Sequence, residues 1–354
     1  MQGQAVLVIG GLICGLVAGA AAQYGRLCTF AAIEDFIAAN DLRRARAWAL
    51  ALTVAIAATQ ALIVAGLIDP TTSAYTSGRL EVVSLIIGGV MFGIGMALVG
   101  TCGFGLLVRA GAGDLRAVMM AVLMGIAAFA ATGGPLSPAR IWLNDVAVIH
   151  FGGPGAGTIK AIAAQVGLPG LSAVAAIGLA GGLAIFALWG RRALRRPRLL
   201  VSAMLLGCAV AGGWLVTGTL ADPFSAHRLE SLTFVAPIGR VVLVAMGESI
   251  THAGFAVMSV FGVVLGSFAV ALARDELRWE AFDDQREMRR HILGAMLMGT
   301  GGVLARGCTI GQGMSAFSML AITAPIAVLA MVIGARIGLA YLIHMPSLSR
   351  LWAR

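Results

Sequence analysis

Residues 82–105 read VVSLIIGGVMFGIGMALVGTCGFG: eighteen positions without a charge, then Gly100, the pair Thr101-Cys102 and the turn Gly103-Phe104-Gly105. An uncharged run of about 18 residues is long enough to cross the ~30 Å hydrocarbon core of a bilayer as a helix. The same pattern returns later in the chain. Setting Cys102 on Cys308, an offset of 206, aligns Gly88 with Gly294, Gly95 with Gly301, Leu98 with Leu304, Gly105 with Gly311 and Ala110 with Ala316. Each copy is an apolar helix, a small-residue elbow, a cysteine, a glycine-rich turn and a second apolar helix.

The rest of the chain agrees with a membrane reading. Of 354 residues 59% are hydrophobic and 12% charged, with 48 glycines, and the mean hydropathy is +0.94. A soluble protein carries charge at about a quarter of its positions. Soluble enzymes, DNA-binding proteins and disulfide-rich secreted domains are therefore excluded. The net charge of +9 comes from 25 basic residues, all arginine except Lys160. They cluster between apolar runs, where they set orientation rather than bind nucleic acid. Five cysteines without a CxxC pair argue against a zinc site or a dithiol motif. No metal and no cofactor is expected, and no GxxxxGK[ST] motif is present, since Gly153 to Lys160 has the wrong spacing.

Apolar runs of spanning length fall at about 4–22, 47–67, 82–100, 114–133, 171–190, 199–219, 252–273, 291–306 and 323–344. The fold expected is an all-α membrane protein of about nine crossings in one polytopic domain, residues 1–354. An N-terminal repeat over about 1–133, a connecting insertion over about 134–170 and a C-terminal repeat over about 199–345 divide it. The first run reads as a retained span rather than a cleaved signal, because no basic region precedes it. The segment from Glu230 to Ile250, interrupted by Pro237, Arg240 and Glu248, reads as half-inserted or lying along the surface.

Three basic loops fix the sides. They are Arg43, Arg44 and Arg46; Arg191, Arg192, Arg195, Arg196 and Arg198; and Arg274, Arg278, Arg286, Arg289 and Arg290, the last mixed with acids. The positive-inside rule puts all three in the cytoplasm. Four spans separate the first from the second and two the second from the third, so the assignment is consistent. It places the N-terminus outside and the C-terminus inside. Five crossings then separate the two elbow copies, and an odd number inverts the second relative to the first, the arrangement of many transporters. Cys102 lies toward the cytoplasm and Cys308 toward the outside. A weaker third copy, Gly25-Arg26-Leu27-Cys28-Thr29-Phe30, puts Cys28 on the cytoplasmic side as well.

The elbows carry the chemistry. Broken helices expose backbone N–H groups near Gly103 and Gly105 after Cys102, and near Thr309 and Gly311 after Cys308, which attract an anion without a formal charge. Glycines let a substrate approach the backbone, and a thiol adds a polarizable weak donor suited to a sulfur-containing anion. Thr309 and Gln312 are candidates to donate to a ligand or to cap the half-helix. Cys14 and Cys208 lie in plain apolar runs and read as small hydrophobic filler. Arg109 and Arg306 either attract an anion or close a helix end. Glu248 and His252, four apart, read as a structural pair, and Met96, Met119, Met120 and Met124 as core.

At Gly100-Thr101-Cys102-Gly103-Phe104-Gly105, at Arg306-Gly307-Cys308-Thr309-Ile310-Gly311-Gln312-Gly313, and at Gly25-Arg26-Leu27-Cys28, the chain resembles the YeeE/YedE sulfur transport family over essentially its whole length. The resemblance implies an hourglass-shaped helical fold with inverted pseudo-symmetry in a prokaryotic plasma (inner) membrane, and uptake of thiosulfate or a related sulfur or selenium species. It further implies that Cys308, Cys102 and Cys28 contact the anion in that order by weak S–H hydrogen bonds, and that a small cytoplasmic sulfur-carrier protein receives it. The expected partners are thus a small sulfur-containing anion, membrane lipid and that carrier. The chain departs from the family pattern in the insertion, which holds His150, Gly152-Gly153-Pro154-Gly155 and Lys160, and at Thr101 and Gly103, where a proline beside the cysteine is more typical. A membrane thiol-disulfide oxidoreductase, or a noncatalytic membrane partner subunit, are the alternatives to a transporter.

Overall fold

The computed structural model describes residues 2–152, 155–159, 161, 171–189, 197–219, 229–247, 254–282 and 284–349. Lys160, Gly153, Pro154, Arg191 to Arg196, and the pair Glu248 and His252 lie outside the described residues.

Thirteen helices carry the described chain: α1 (Gln2–Gly25), α2 (Thr29–Ala39), α3 (Arg43–Val64), α4 (Val82–Val99), α5 (Gly103–Gly111), α6 (Leu115–Thr132), α7 (Ser137–Asp145), α8 (Leu171–Leu188), α9 (Pro197–Gly218), α10 (Val235–Ala245), α11 (Phe255–Ala273), α12 (Gln285–Leu304) and α13 (Thr323–Ser349). A π-helical turn, Gly311–Ala316, stands between the last two. The only strands among the described residues are β1 (Arg79–Glu81) and β2 (Val148–His150), an antiparallel pair with Leu80 opposite Ile149.

The fold is that of an all-α membrane protein: among the described residues seven helical stretches are long and apolar enough to cross a membrane. Helix α12 falls outside that set because its first turns carry Arg286, Glu287, Arg289 and Arg290. Helix α8 is uncharged along its whole length, with an apolar stretch described over Val174–Leu188. The doubtful segment after Glu230 is the short helix α10, packed along α6. Leu, Ile and Val side chains on the outer faces, such as Ile9, Ile13, Ile86, Val122, Ile126, Leu329 and Ile333, are exposed, as suits helices facing hydrocarbon.

The helices pair in a way that exchanges the two halves of the chain. When α1, α3, α4 and α6 are matched to α9, α11, α12 and α13, the contact of α1 with α11 has its counterpart in that of α3 with α9. The contact of α4 with α13 likewise corresponds to that of α6 with α12. The pairs α1 with α9 and α4 with α12 map onto themselves. At the crossing of α4 and α12 the aligned glycines meet crosswise. A Cβ on Gly88 would stand 2.7 Å from the Gly301 carbonyl oxygen, and one on Gly95 2.6 Å from that of Gly294. The two helices therefore run antiparallel with their backbones in contact, an approach that only glycine permits.

The insertion is anchored rather than loose where it is described. Phe151 N–H donates to Gly78, Gly157 N–H to Thr76, and Ile159 N–H to Leu320, while Ile322 N–H donates to Gly157. Ala156 and Thr158 are buried. The insertion thus laces the segment before α4 to the turn before α13.

Candidate functional site

Each of the three elbows is built the same way. Two residues before the cysteine the backbone enters the left-handed region: Arg26 at φ 50°, Gly100 at φ 78° and Arg306 at φ 56°. That conformation ends the preceding helix; Cys28 and Cys102, both in extended geometry, then start α2 and α5, whereas after Cys308 the π-helical turn begins at Gly311. Glycine adopts it freely, whereas at Arg26 and Arg306 it costs about 1 kcal/mol. Both arginines are held by ion pairs, Arg26 with Glu276 at 3.2 Å and Arg306 with Glu81 at 2.8 Å.

The thiols of the first and second copies sit in matching geometry. Cys102 Sγ accepts the Gly105 N–H at 3.4 Å, and Cys308 Sγ accepts the Gly311 N–H at 3.4 Å. Both cysteines are fully buried. Each sulfur therefore caps its own half-helix through a lone pair, which leaves its S–H free to point elsewhere. Cys28 at the start of α2 makes no such cap. Its thiol meets the Thr101 hydroxyl at 3.5 Å.

The three elbows converge. Cys102 neighbours Cys28 and Thr309, and its Sγ lies 4.0 Å from Thr29 Oγ1. Thr309, next in sequence to Cys308, is 4% exposed and its hydroxyl has no hydrogen-bond partner at proper geometry. A buried unpartnered hydroxyl costs about 1–3 kcal/mol. This one lies where the two halves meet, beside the Cys102 thiol. The thiols thus form a bent file: Cys308, then Thr309 against Cys102, then Cys28.

One end of the file opens. Cys28, Thr101 and Gly105 lie in the wall of a cavity of about 610 Å³, which Arg26, Arg44, Arg109 and Arg278 share with Asp114, Asp275, Glu276 and Glu280. The other end is closed by side chains. A Cβ on Gly311 would stand 2.7 Å from Thr233 Oγ1 and 2.9 Å from Tyr75 Oη, so both groups press on the backbone beside Cys308. Tyr75 shares a hydrogen bond with Thr233, and burial pushes its phenol up, so it stays a neutral group there. Trp214 packs edge-on to Tyr75 and donates to Ser318 Oγ at 3.0 Å. Phe104, two residues after Cys102, stacks on Phe234 at 5.0 Å, and both rings are buried.

The predicted residues divide. Cys28, Cys102, Gly105 and Thr309 gather at the junction, Gly103 is buried in the first turn of α5, and Cys308 and Gly311 stand one step away, toward Tyr75. Gln312 is engaged internally: its Nε2 donates to the Ala305 carbonyl at 2.9 Å and its Oε1 accepts from Thr323 at 3.3 Å, which braces the second elbow. Arg306 is committed to Glu81 and to Ser77, whereas Arg109 lines the open cavity. Cys14 is buried in α1 and Cys208 is exposed on α9, both away from the junction. All five cysteines are free. Of the methionines, Met96, Met120 and Met124 are buried and Met119 is exposed. Thr29, Tyr75 and Thr233 escape sequence reasoning. Thr29 carries a weak signal as the neighbour of Cys28, but Tyr75 and Thr233 lie in connecting segments without periodicity.

Comparison with known proteins bears on what this geometry does. A family model described as Sulphur transport matches residues 24–337, a span that includes all three elbows. The thiosulfate transporter TsuA of Escherichia coli strain K12 is 26% identical over 360 residues, covering 93% of this chain and 92% of the relative. The thiosulfate transporter TsuA of Spirochaeta thermophila is 26% identical over 336 residues, covering 92% of this chain and 96% of the relative.

Proposed function

The chain belongs to the sulphur transport family, and on that premise we propose that this multi-pass membrane protein carries thiosulfate, or a sulfur anion close to it, along the file of elbow thiols. The observation that carries the reading is the continuity of Cys308, Thr309, Cys102 and Cys28 from the buried second elbow to a solvent-sized cavity.

The chemistry follows from the surroundings. An anion leaving water needs compensating donors, but a strong fixed charge at the narrowest point would hold it. Two capped half-helices supply backbone N–H groups, and the thiols supply weak, polarizable S–H donors that hand the anion on without forming a bond. The Thr309 hydroxyl, without a partner in the resting structure, donates to the anion as it passes from Cys308 to Cys102. Gly103, Gly105 and Gly311 keep the backbone bare at the contacts.

Orientation and setting extend the proposal. The halves act as inverted copies across a plane at the α4 and α12 crossing, with boundaries near those expected from the repeat. The open cavity, bordered by the loops carrying Arg43, Arg44 and Arg274, faces the cytoplasm of a prokaryotic inner membrane. The N-terminus is outside and the C-terminus inside. A cytoplasmic sulfur-carrier protein takes the anion at that face. Uptake of radiolabelled thiosulfate by cells lacking their own sulfur importers tests the assignment; no uptake above the empty-vector level, at verified membrane expression, removes it.

A further inference from the structure

Four arginines line the cavity below Cys28, and they are not equivalent. Arg26 pairs with Glu276 at 3.2 Å and Arg44 with Asp35 at 3.0 Å. The acids Asp114 and Glu280 in the same wall are both taken by Arg116. Arg109 and Arg278 have no carboxylate within ion-pair distance among the described residues, and both are exposed to the cavity. Asp275, the remaining acid of the wall, is likewise unpaired, so the free charge of the lining stays positive.

The backbone holds both guanidinium stems in place. Arg109 occupies the last turn of α5, the short helix that begins at Cys102. Arg278 sits in a stretch tied to the end of that helix: its N–H donates to the Ala112 carbonyl at 3.1 Å, and the Leu115 N–H donates to Glu280 at 3.0 Å. Helix α5 therefore carries a buried thiol at one end and a free cation at the other, with the second cation clamped beside it. Cys28 and Gly105 share the cavity wall with both arginines.

We propose that Arg109 and Arg278 form an oxyanion-binding site in this vestibule, which draws a divalent sulfur oxyanion off the Cys28 thiol and sets the preference for dianions over monoanions. The proposal rests on the transport reading. A weak S–H donor releases its anion only if the next station is better, and two unpaired guanidinium groups in a wet cavity are such a station. Because the cavity is open to water, the hold is firm enough to capture but not to trap.

The test reads the potential at Cys28 directly, in a Cys14→Ala, Cys208→Ala background with modification assigned to Cys28 by mass spectrometry. The rate with anionic sulfonatoethyl methanethiosulfonate is divided by the rate with neutral methyl methanethiosulfonate. In Arg109→Gln with Arg278→Gln this ratio is expected to fall roughly tenfold, the scale of electrostatic steering into a charged cleft, and to return in Arg109→Lys with Arg278→Lys. An unchanged ratio overturns the site. Should the double variant misfold, the unaltered arginines still decide: millimolar thiosulfate is expected to slow neutral N-ethylmaleimide at Cys28, and no protection overturns the site. Thiosulfate uptake, assayed in parallel, separates the two readings. A protein with the expected ratio and protection but no uptake keeps the vestibule and loses the transport assignment.

Discussion

The Cys28 thiol meets the Thr101 hydroxyl at 3.5 Å, which joins the start of α2 to the elbow that precedes α5. Thr101 reaches this position because Gly105 leaves room: a Cβ there would stand 2.1 Å from Thr101 Oγ1. The hydroxyl and the thiol share a hydrogen bond, so Thr101 positions Cys28 rather than only filling space. Thr101→Val keeps the shape and removes the hydrogen bond, worth about 1 kcal/mol, and is expected to cut thiosulfate uptake about fivefold, whereas Thr101→Ser retains it. Equal loss in both variants would mean that packing, not the hydroxyl, matters.

The five cysteines separate into two groups that make opposite predictions. On the proposed path, Cys28→Ala, Cys102→Ala and Cys308→Ala each remove a thiol that contacts the anion and are expected to lower uptake by roughly tenfold or more, a loss of about 1.4 kcal/mol or more in the pathway's barrier. Cys14→Ala trims a buried filler and Cys208→Ala an exposed side chain. Both should transport within about twofold of wild type. Uptake is compared at matched membrane expression, and a severe defect in Cys208→Ala would break the grouping.

At the closed end, Gly311 has Thr233 Oγ1 and Tyr75 Oη pressed against its backbone. Gly311→Ala puts a methyl group into that space and is expected to abolish uptake while Cys308 remains in place. Removing the obstacle should undo part of the damage, so Gly311→Ala combined with Thr233→Ala is expected to recover uptake relative to Gly311→Ala alone. Such non-additivity is the signature of two groups in contact. Strict additivity in the double variant would show that the glycine serves another purpose.

How much of this was legible beforehand depended on the kind of signal. The offset of 206 residues points to the elbows and aligns Gly88 with Gly294 and Gly95 with Gly301, because glycine spacing is visible in a sequence, but that Gly88 meets Gly301 and Gly95 meets Gly294 is set by the antiparallel packing of α4 on α12. The gathering of Cys28 beside Cys102 was not legible, since the two lie 74 residues apart and their contact depends on the tilt of whole helices. Gln312 had the chemistry of a ligand donor, but its amide is spent on Ala305 and Thr323, a choice made by tertiary packing. The charged first turns of α12, with Arg286, Glu287, Arg289 and Arg290, explain why its apolar run starts only near His291 in the sequence although the helix itself begins at Gln285. Arg109 and Arg306 are alike in sequence, each close to an elbow cysteine, and only the ion pair of Arg306 with Glu81 separates them.

The α4 and α12 crossing makes the last prediction. Gly95 and Gly294 bring the two backbones into contact, and a leucine at either position must push them apart. Overpacking of this kind costs about 1–3 kcal/mol. Gly95→Leu and Gly294→Leu are therefore expected to lower the unfolding temperature of the detergent-solubilised protein and to do so to a similar extent, since the two positions face each other. Gly178→Leu and Gly182→Leu, in α8 with nothing within 4 Å of an added Cβ, should leave that temperature within a degree or two. If leucine in α8 proved as damaging as leucine at the crossing, a general intolerance of bulk in these helices, and not the backbone contact between the two halves, would account for the glycines.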